Sequence, residues 1–495
     1  MLIIGGRRFP LTLYAEGGLL VFSSLIFLFV FLAANLAVYF LVPEQYRNPV
    51  LLGFSLVFYS WGGVQYVVLL AGEALVSWFI ARQMGAVSEG APRKALMAGE
   101  CVVLLGLLAY FKYTGFFLSN IQLLTGAPDA IPDIVLPIGI SFYTFQLISY
   151  VADVYAGRVE AQPRYWKLLL YASLFHQCIA GPIVRYETVA GEIDHREITL
   201  DDMYCGMRRF SVGLAKKAIL ANSCAAAADA LLPIGDAAIG TQCTTGYWLG
   251  MLFYMLEIYL DFSAYSDMAI GMGRMVGFHY LENFNYPYMA SSVQDFWRRW
   301  HISLSSFFRD YVYIPLGGSR CSTGKYVRNM AVVWLLTGFW HGASWNYILW
   351  GAYFLVFLLL EKFVLKPVLE GLPAFVGHVY ALVVVYFGWI LFHFENAGEL
   401  GQVLIGVLGL SGNGFTSLAV HTVFLQNLFL LVFCCVACTN LGARLHEMLA
   451  GYAQGEGVVC RVVGILEAAA PLVLLVLAII SLAGASYNPF IYFRF

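Results

Sequence analysis

Charged residues are scarce in this chain of 495 residues: Asp, Glu, Lys and Arg account for 12%, whereas hydrophobic residues account for 60%. Soluble domains contain about 25% charged residues, so this composition excludes a protein whose whole surface faces water. The formal net charge is only −2, which excludes the basic excess typical of nucleic-acid-binding proteins. We therefore expect an integral membrane protein with no nucleic-acid partner.

Several other signals are missing from the sequence. The ten cysteines give no disulfide framework, and the Cys435–Cys438 pair has no second pair or nearby histidine, so we expect helix packing there rather than a bound metal. No Gly-x-Ser-x-Gly motif supplies a serine nucleophile. We find no internal repeat, linker or signal peptide. Residues 1–495 are therefore predicted to form a single membrane domain.

Long apolar runs predict the architecture, because a helix needs about 20 apolar residues to cross about 30 Å of hydrocarbon. The runs are 19–42, 50–81, 95–124, 134–156, 166–184, 207–232, 248–278, 331–360, 375–394, 423–439 and 462–482. They predict an all-α integral membrane protein with about eleven transmembrane helices. Lys and Arg cluster in 82–94, 158–167 and 274–328, which the positive-inside rule assigns to the cytoplasm. The acidic loop 125–133 is assigned to the outside.

Residues 296–318, FWRRWHISLSSFFRDYVYIPLGG, combine aromatic rings with basic side chains. At about 100° per residue, one helix face carries Trp297, Trp300, His301, Leu304, Phe307, Phe308 and Tyr311. The opposite face carries Arg298, Arg299, Ser303, Ser305, Ser306, Arg309 and Asp310. This pattern predicts one amphipathic helix, ended by Pro315 and the glycines after it, that lies in the membrane surface or re-enters the protein.

Two interpretations of this helix remain open. It is an interfacial anchor, or it lines a cytoplasmic vestibule for an anionic donor such as coenzyme A. In the second case its arginines meet phosphates and its rings stack on adenine. His301, on the aromatic face, is correspondingly a hydrogen-bonded core residue or a part of the site.

His341 is an ionisable residue in a run, 331–360, that has no formal charge. It lies about 15 Å along the helix from the basic end, which predicts a position near the middle of the bilayer, where an ionisable side chain indicates a functional site. The alternative is a hydrogen bond to a neighbouring helix. Gly338 and Gly342 allow a bend or a close approach of another chain. A buried imidazole is neutral and able to accept a proton from a hydroxyl that attacks a thioester.

Three carboxylates, Glu257, Asp261 and Asp267, lie in the apolar run 248–278. Glu257 and Asp261 are four residues apart and therefore share a helix face. We expect structural ion pairs, with Lys112 and Arg274 as the counter-charges. The alternative, that these carboxylates tune a histidine, stays open.

Seven stretches make the chain resemble the membrane-bound O-acyltransferases (MBOAT), in the bacterial branch with alginate O-acetyltransferases and the teichoic acid D-alanyl-transfer protein. The stretches are LPIGISFYTFQLISYVADVY (136–155), IAGPIVRY (179–186), YLDFSAYSDMAIGMGRMVGF (259–278), ENFNYPY (282–288), the stretch at 296–318, WHGASWNYILWG (340–351) and NPFIYFRF (488–495). The resemblance is nearer to the alginate enzymes, and residues 1–19 extend beyond the usual start. It implies a ring of membrane helices around a thin centre, with a cytoplasmic funnel and an extracytoplasmic opening.

The resemblance also implies roles for individual residues. His341 is the essential histidine and His301 the second motif histidine. We assign donor binding to Trp297, Arg298, Arg299 and Arg309, and supporting roles to Asp261, Asp267, Trp340 and Asn346. No tightly bound cofactor is expected.

The implied function is transfer of an acyl group, as acetyl from acetyl-CoA, to a hydroxyl outside a bacterial inner membrane. The acceptor is a polysaccharide or an SGNH-type acetyltransferase that relays the group. Without a serine nucleophile, direct transfer fits better than an acyl-enzyme. One alternative is D-alanyl transfer from a carrier protein to teichoic acid. The other is a transporter, which should show two related halves with broken helices, and the sequence has no such symmetry.

Overall fold

The computed structural model describes residues 2–4, 7–9, 21–87, 89–126, 131–132, 134–179, 181–235, 237–455, 457–484 and 490–491. Two short strands, β1 (Leu2–Ile4) and β2 (Arg7–Phe9), pair antiparallel at the N-terminus. The remaining regular structure of the described residues is helical. Three predicted segments lie mostly outside the described residues: the extension 1–19, the outer loop 125–133 and the final motif 488–495.

The helices follow one another in this order: α1 (Ala33–Leu41), α2 (Glu44–Ser60), α3 (Val64–Ala86), α4 (Ala91–Thr125), α5 (Ile140–Tyr155), α6 (Tyr165–Ser173), α7 (Tyr186–Asp194), α8 (Leu200–Ala215), α9 (Asn222–Leu231), α10 (Thr244–Met275), α11 (Val293–Arg299), α12 (Ile302–Phe308), α13 (Thr323–His341), α14 (Trp345–Leu360), α15 (Lys366–Glu370), α16 (Ala374–His393), α17 (Ala397–Val407), α18 (Leu418–Gln426), α19 (Leu428–Ala437), α20 (Leu441–Ala453) and α21 (Val458–Gly484). Four π-helical turns extend or join them: Phe27–Leu32, Lys216–Ala221, Arg309–Tyr313 and Glu361–Leu365.

Five of the described helices are long and apolar enough to cross a membrane, or six if the bent pair α18 and α19, which turns by 55°, is one span. The five are α3, α4, Trp345–Glu370, α16 and α21. The protein is thus a multi-pass membrane protein, and the expected count of eleven is not confirmed. Several predicted spans are instead buried: nearly every residue of α5 is inaccessible, and the run 166–184 leaves its helix after Ser173.

α10 is the central helix, and it packs along α8 and α9. Small residues allow the close approach, as is typical of membrane helices. A Cβ on Gly206 of α8 would lie 2.8 Å from the carbonyl oxygen of Gly271, and one on Gly271 would lie 2.7 Å from that of Gly206. The two backbones are therefore almost in contact.

We expected the apolar run 331–360 to form one span. It forms an antiparallel pair of helices instead, α13 and α14, joined at residues 342–344. The pair packs closely because Gly338 faces the carbonyl oxygen of Tyr347 and Gly351 faces that of Trp334, where any Cβ would overlap. The prediction that Gly338 permits a close approach is confirmed. His341 consequently ends a helix instead of lying inside one.

The end of α13 is held by two side chains of α4. Lys112 Nζ donates to the carbonyl oxygens of Trp340 at 2.5 Å and His341 at 3.3 Å, and Tyr113 Oη donates to that of Phe339 at 2.8 Å. The last carbonyls of a helix have no partner within it, so a helix that ends inside a protein needs such donors. Lys112 serves this purpose, whereas Asp261 and Asp267 of α10, for which the sequence suggested it as a counter-charge, pair with other basic residues.

Replacing Gly338 with Ala should destabilise the protein, because the added methyl group overlaps the Tyr347 carbonyl; overpacking of this kind costs about 1–3 kcal/mol. We expect a lower midpoint temperature for loss of the monodisperse peak in detergent. Gly106→Ala in α4, where nothing lies within 4 Å of the new Cβ, is the matched control. Equal midpoints for the two variants would contradict the packing described here.

Candidate active site

The predicted amphipathic helix at 296–314 is broken in the structure, so the expectation of a continuous helix is wrong. α11 ends at Arg299 and α12 begins at Ile302. Between them His301 has φ of 45°, one of two positive φ values among described residues other than glycine. The loop before α11 stabilises the break, because Ile302 N–H donates to the Asn283 carbonyl and Asn285 N–H to the Arg299 carbonyl, each at 2.9 Å. The sequence pattern carries no signal for these distant bonds.

The predicted aromatic face is nevertheless the more buried one, although Tyr311 is half-buried, as are most residues of the opposite face. Trp297, Trp300, His301, Leu304, Phe307 and Phe308 are buried, whereas Arg298 and Arg309 are exposed. The segment is therefore packed into the protein by its aromatic side.

Asn283 fixes the tautomer of His301. The Asn283 side-chain oxygen accepts from the Ser303 backbone N–H at 3.2 Å and lies 3.1 Å from His301 Nδ1. The Asn283 atom in both contacts is an amide oxygen, which can only accept a hydrogen bond. His301 Nδ1 therefore carries the proton. His301 Nε2 is then an acceptor; it is buried and has no hydrogen-bond partner in the described part of the chain.

His341 lies among aromatic rings at the end of α13. Its imidazole makes edge contacts with Trp340, Trp350 and Phe392 at centroid distances of 5.0, 5.1 and 5.2 Å. The described residues provide no hydrogen bond to this ring, which is half-buried and borders two cavities. Its nitrogens are therefore available to a substrate.

The larger cavity has a volume of about 220 Å³ and runs along one face of α13. Its lining consists of Gln294, Trp297, Arg298, Trp300, His301, Leu304, Ser305, Phe308, Met330, Val333, Trp334, Thr337, His341 and Leu358. Both histidines border it, as do two of the predicted donor-binding residues, Trp297 and Arg298. Its polar lining residues are Gln294, Arg298, His301, Ser305, Thr337 and His341, and the other eight are apolar or aromatic.

The smaller cavity has a volume of about 20 Å³ and lies on another side of His341. Its lining consists of Ile258, Phe262, Trp300, His341, Trp350, Trp389, Phe392 and Ile491. His341 and Trp300 line both cavities and thus stand between them. Apart from His341, the lining side chains of the smaller cavity are apolar or aromatic.

Two of the three predicted donor-binding arginines do not face the larger cavity. Arg299 pairs with Asp295 at 3.0 Å, and Arg309 pairs with Asp310 at 2.6 Å. Burial raises the pKa of Asp310, but hydrogen bonds from Arg309 and Arg185 bring it below its usual value. This carboxylate is therefore ionised at neutral pH and neutralises Arg309. Arg298 alone among the three borders the cavity.

The four predicted supporting residues lie outside both cavity linings. Trp340 packs between α13 and α5, where its ring lies 5.8 Å from that of Phe145. Asn346 donates to the Phe392 carbonyl at 3.2 Å, which holds the start of α14 against α16. Asp261 accepts from the Ile491 backbone N–H at 2.6 Å.

Two of the three α10 carboxylates, Asp261 and Asp267, have other partners than we expected. Asp261 pairs with Lys217 at 2.5 Å, and Asp267 pairs with Lys216 at 2.7 Å and Arg209 at 3.0 Å. Arg274 pairs with Asp201 at 3.2 Å and Asp202 at 3.1 Å instead. The reason is that α8 and the π-helical turn after it pack along α10 and bring their basic side chains to it. Basic residues inside the apolar run 207–232 were the signal for this pairing.

Sequence reasoning also missed two buried carboxylates in membrane helices. Glu73 of α3 and Glu100 of α4 have relative exposures of 2% and 0%. Ser77 Oγ donates to Glu100 at 2.5 Å and Thr144 Oγ1 to Glu73 at 3.4 Å. Neither glutamate lines a cavity near His341. The available signal for them was an acidic residue inside each of the apolar runs 50–81 and 95–124.

The family model for membrane-bound O-acyltransferases (MBOAT) matches residues 160–397, which include both histidines and the walls of the larger cavity. The chain belongs to this family and is an O-acyltransferase. The family resemblance noted in the sequence is thereby confirmed.

Relatives with named activities extend over most of the chain. It is 35% identical to the probable alginate O-acetylase AlgI of Azotobacter vinelandii, over 96% of this chain and 100% of that protein. It is 41% identical to the AlgI of Pseudomonas aeruginosa over 76% of this chain and 72% of that protein. It is 31% identical to a peptidoglycan O-acetyltransferase of Helicobacter pylori over 79% and 80% of the two chains. Enzymes similar to this chain thus include acetyltransferases for different polymers.

Lys217→Met should destabilise the protein strongly, because Asp261 and Lys217 have side-chain exposures of only 2% and 3%. Removing one member of a buried ion pair typically costs about 3–5 kcal/mol. The double variant Lys217→Met/Asp261→Leu should recover part of the loss, since it leaves no unpaired charge. Thermal midpoints in detergent measure both effects. A double variant less stable than Lys217→Met would argue against this buried-charge explanation.

Proposed function

We propose that this protein transfers an acetyl group from acetyl-CoA, bound from the cytoplasmic side, to a hydroxyl on an extracytoplasmic polysaccharide or on an SGNH-type relay protein. The observation that carries the proposal is the position of His341, at the inner end of the larger cavity and next to a second one. The acceptors named for the relatives are consistent with this class of reaction. The membrane is the bacterial inner membrane, with the basic segments in the cytoplasm.

The shape of the larger cavity suits a thioester at the end of a flexible arm. Met330, Val333, Trp334, Thr337 and His341 line it from one face of α13, a distance of about 16 Å along the helix. Arg298 stands on its border and can pair with a phosphate, which a guanidinium binds well. The apolar walls between suit the uncharged arm.

His341 is the general base of the proposed reaction. Its neutral imidazole takes the proton of the acceptor hydroxyl as the oxygen attacks the thioester carbonyl carbon. The tetrahedral intermediate then collapses, the carbon–sulfur bond breaks, and the imidazolium returns the proton to the leaving thiolate. The products are an O-acetyl ester and free coenzyme A. Transfer is direct, and no protein nucleophile is required.

His301 has a supporting role in this proposal. Because Asn283 accepts from its Nδ1–H, Nε2 is left as an acceptor. It is therefore suited to receive an N–H of the donor arm and hold the thioester beside His341. Asn283 is the positioning residue that keeps His301 in this tautomer.

D-Alanyl transfer is the less favoured alternative. A D-alanyl group carries an ammonium, and burying that charge without a partner is costly. Among the described residues, neither cavity lining includes a carboxylate. An acetyl group has no such requirement.

His341→Ala should abolish transfer of labelled acetyl groups by purified protein in detergent, while the protein still purifies as a monodisperse species. Loss of a general base costs about 10²–10⁴-fold in rate. His341→Gln should be as inactive, because an amide does not accept the proton. His301→Gln keeps an acceptor oxygen and should retain measurable activity. An active His341→Gln beside an inactive His301→Gln would reverse the two roles.

Arg298→Gln should raise the KM for acetyl-CoA about 10-fold with little change in kcat, because a hydrogen bond to a charged group contributes equally before and during the reaction. Arg320→Gln is the matched control, since Arg320 is also exposed but borders neither cavity. Steady-state kinetics with varied acetyl-CoA distinguish them. If both variants keep the wild-type KM, the donor does not use this end of the cavity.

A further inference from the structure

The smaller cavity has a size and chemistry that point to one particular occupant. A cavity needs about 10–15 Å³ to hold a single water molecule, so about 20 Å³ accommodates a group no larger than a methyl. It begins at the ring of His341, where the proposed reaction takes place. The other described residues of its lining have apolar or aromatic side chains.

We propose that this cavity is the acyl pocket: it receives the methyl of the acetyl group and restricts the donor to a two-carbon acyl chain. The inference rests on the proposed function, because it requires a thioester in the larger cavity. With the carbonyl carbon beside His341, the thioester arm occupies the larger cavity and the methyl enters the smaller one.

The acceptor is a poor candidate for the same space. A sugar ring is much larger than a methyl and carries several hydroxyls, each of which needs a hydrogen-bond partner when buried. Among the described lining residues, His341 is the one side chain that can accept a hydrogen bond, because the indole N–H groups of Trp300, Trp350 and Trp389 only donate. The acceptor oxygen therefore has to reach His341 without placing its sugar in this pocket.

The pocket is held at its small size by interlocked rings. Phe392 lies 5.3 Å from Trp350 and 5.6 Å from Trp389, measured between ring centroids, and all three are nearly inaccessible. Rings packed on one another in this way cannot move aside singly for a longer chain. Ile258 of α10, with 3% exposure, is an aliphatic wall whose shortening leaves these ring contacts in place.

The test compares kcat/KM for acetyl-, propionyl- and butyryl-CoA in purified protein supplied with alginate or peptidoglycan as the hydroxyl acceptor, with release of free coenzyme A as the measurement. The wild type should lose about 10- to 200-fold for an added methylene, the range typical of an apolar pocket. Ile258→Ala should raise the propionyl-to-acetyl ratio at least about 10-fold. Ile258→Val should raise it less, and it is the variant to use if Ile258→Ala does not fold.

Leu260→Ala is the matched control, because Leu260 is fully buried in the same helix and does not line the pocket. Its ratio should equal that of the wild type. A wild type that uses propionyl-CoA as well as acetyl-CoA would overturn the pocket and leave the proposed function intact. The pocket is also overturned if the Ile258 variants keep the wild-type ratio, or if Leu260→Ala shifts it equally. A wild type that releases no coenzyme A from any thioester would overturn the proposed function and this inference with it.

Discussion

The position of His341 depends on where α13 ends, and Lys112 and Tyr113 of α4 hold that end. Their donors satisfy the carbonyls of Phe339, Trp340 and His341, which would otherwise be buried without partners at a cost of about 1–3 kcal/mol each. The close packing of Gly338 against the Tyr347 carbonyl then holds α14 antiparallel to α13. Together these contacts present an imidazole at a helix end, where its ring is not covered by a following turn.

That arrangement explains how a single ring can border two cavities. The larger cavity approaches His341 along α13, and the smaller one lies among the rings of α14 and α16. His301 reaches the same region only because α11 and α12 are separated by a residue in a left-handed conformation. The strain of that conformation is offset by the bonds from the loop at Asn283. The larger cavity is thus lined mainly by one helix hairpin and one broken helix.

Composition, periodicity and motif resemblance predicted a membrane acyltransferase, and four of the residues singled out in the sequence, Trp297, Arg298, His301 and His341, border one cavity. The aromatic face predicted at 296–311 is the more buried one because burial follows helical periodicity even across a break. The break itself and the turn after His341 were not predictable, since both depend on partners far away in sequence, Asn283 and Lys112. The same reason separated Asp261 from its true partner: an apolar run identifies a helix but does not say which helix packs on it. Arg299 and Arg309 were assigned to the donor because sequence alone does not show that acidic neighbours already pair with them.

The most direct test of the account is an experimental structure with a non-hydrolysable thioether analogue of acetyl-CoA. We expect the arm of the analogue to lie along α13 in the larger cavity. Its phosphates should lie beside Arg298, and its sulfur and carbonyl next to His341. An analogue bound elsewhere, or bound in this cavity with its acyl end away from His341, would contradict the central claim that this histidine is the point at which acyl transfer occurs.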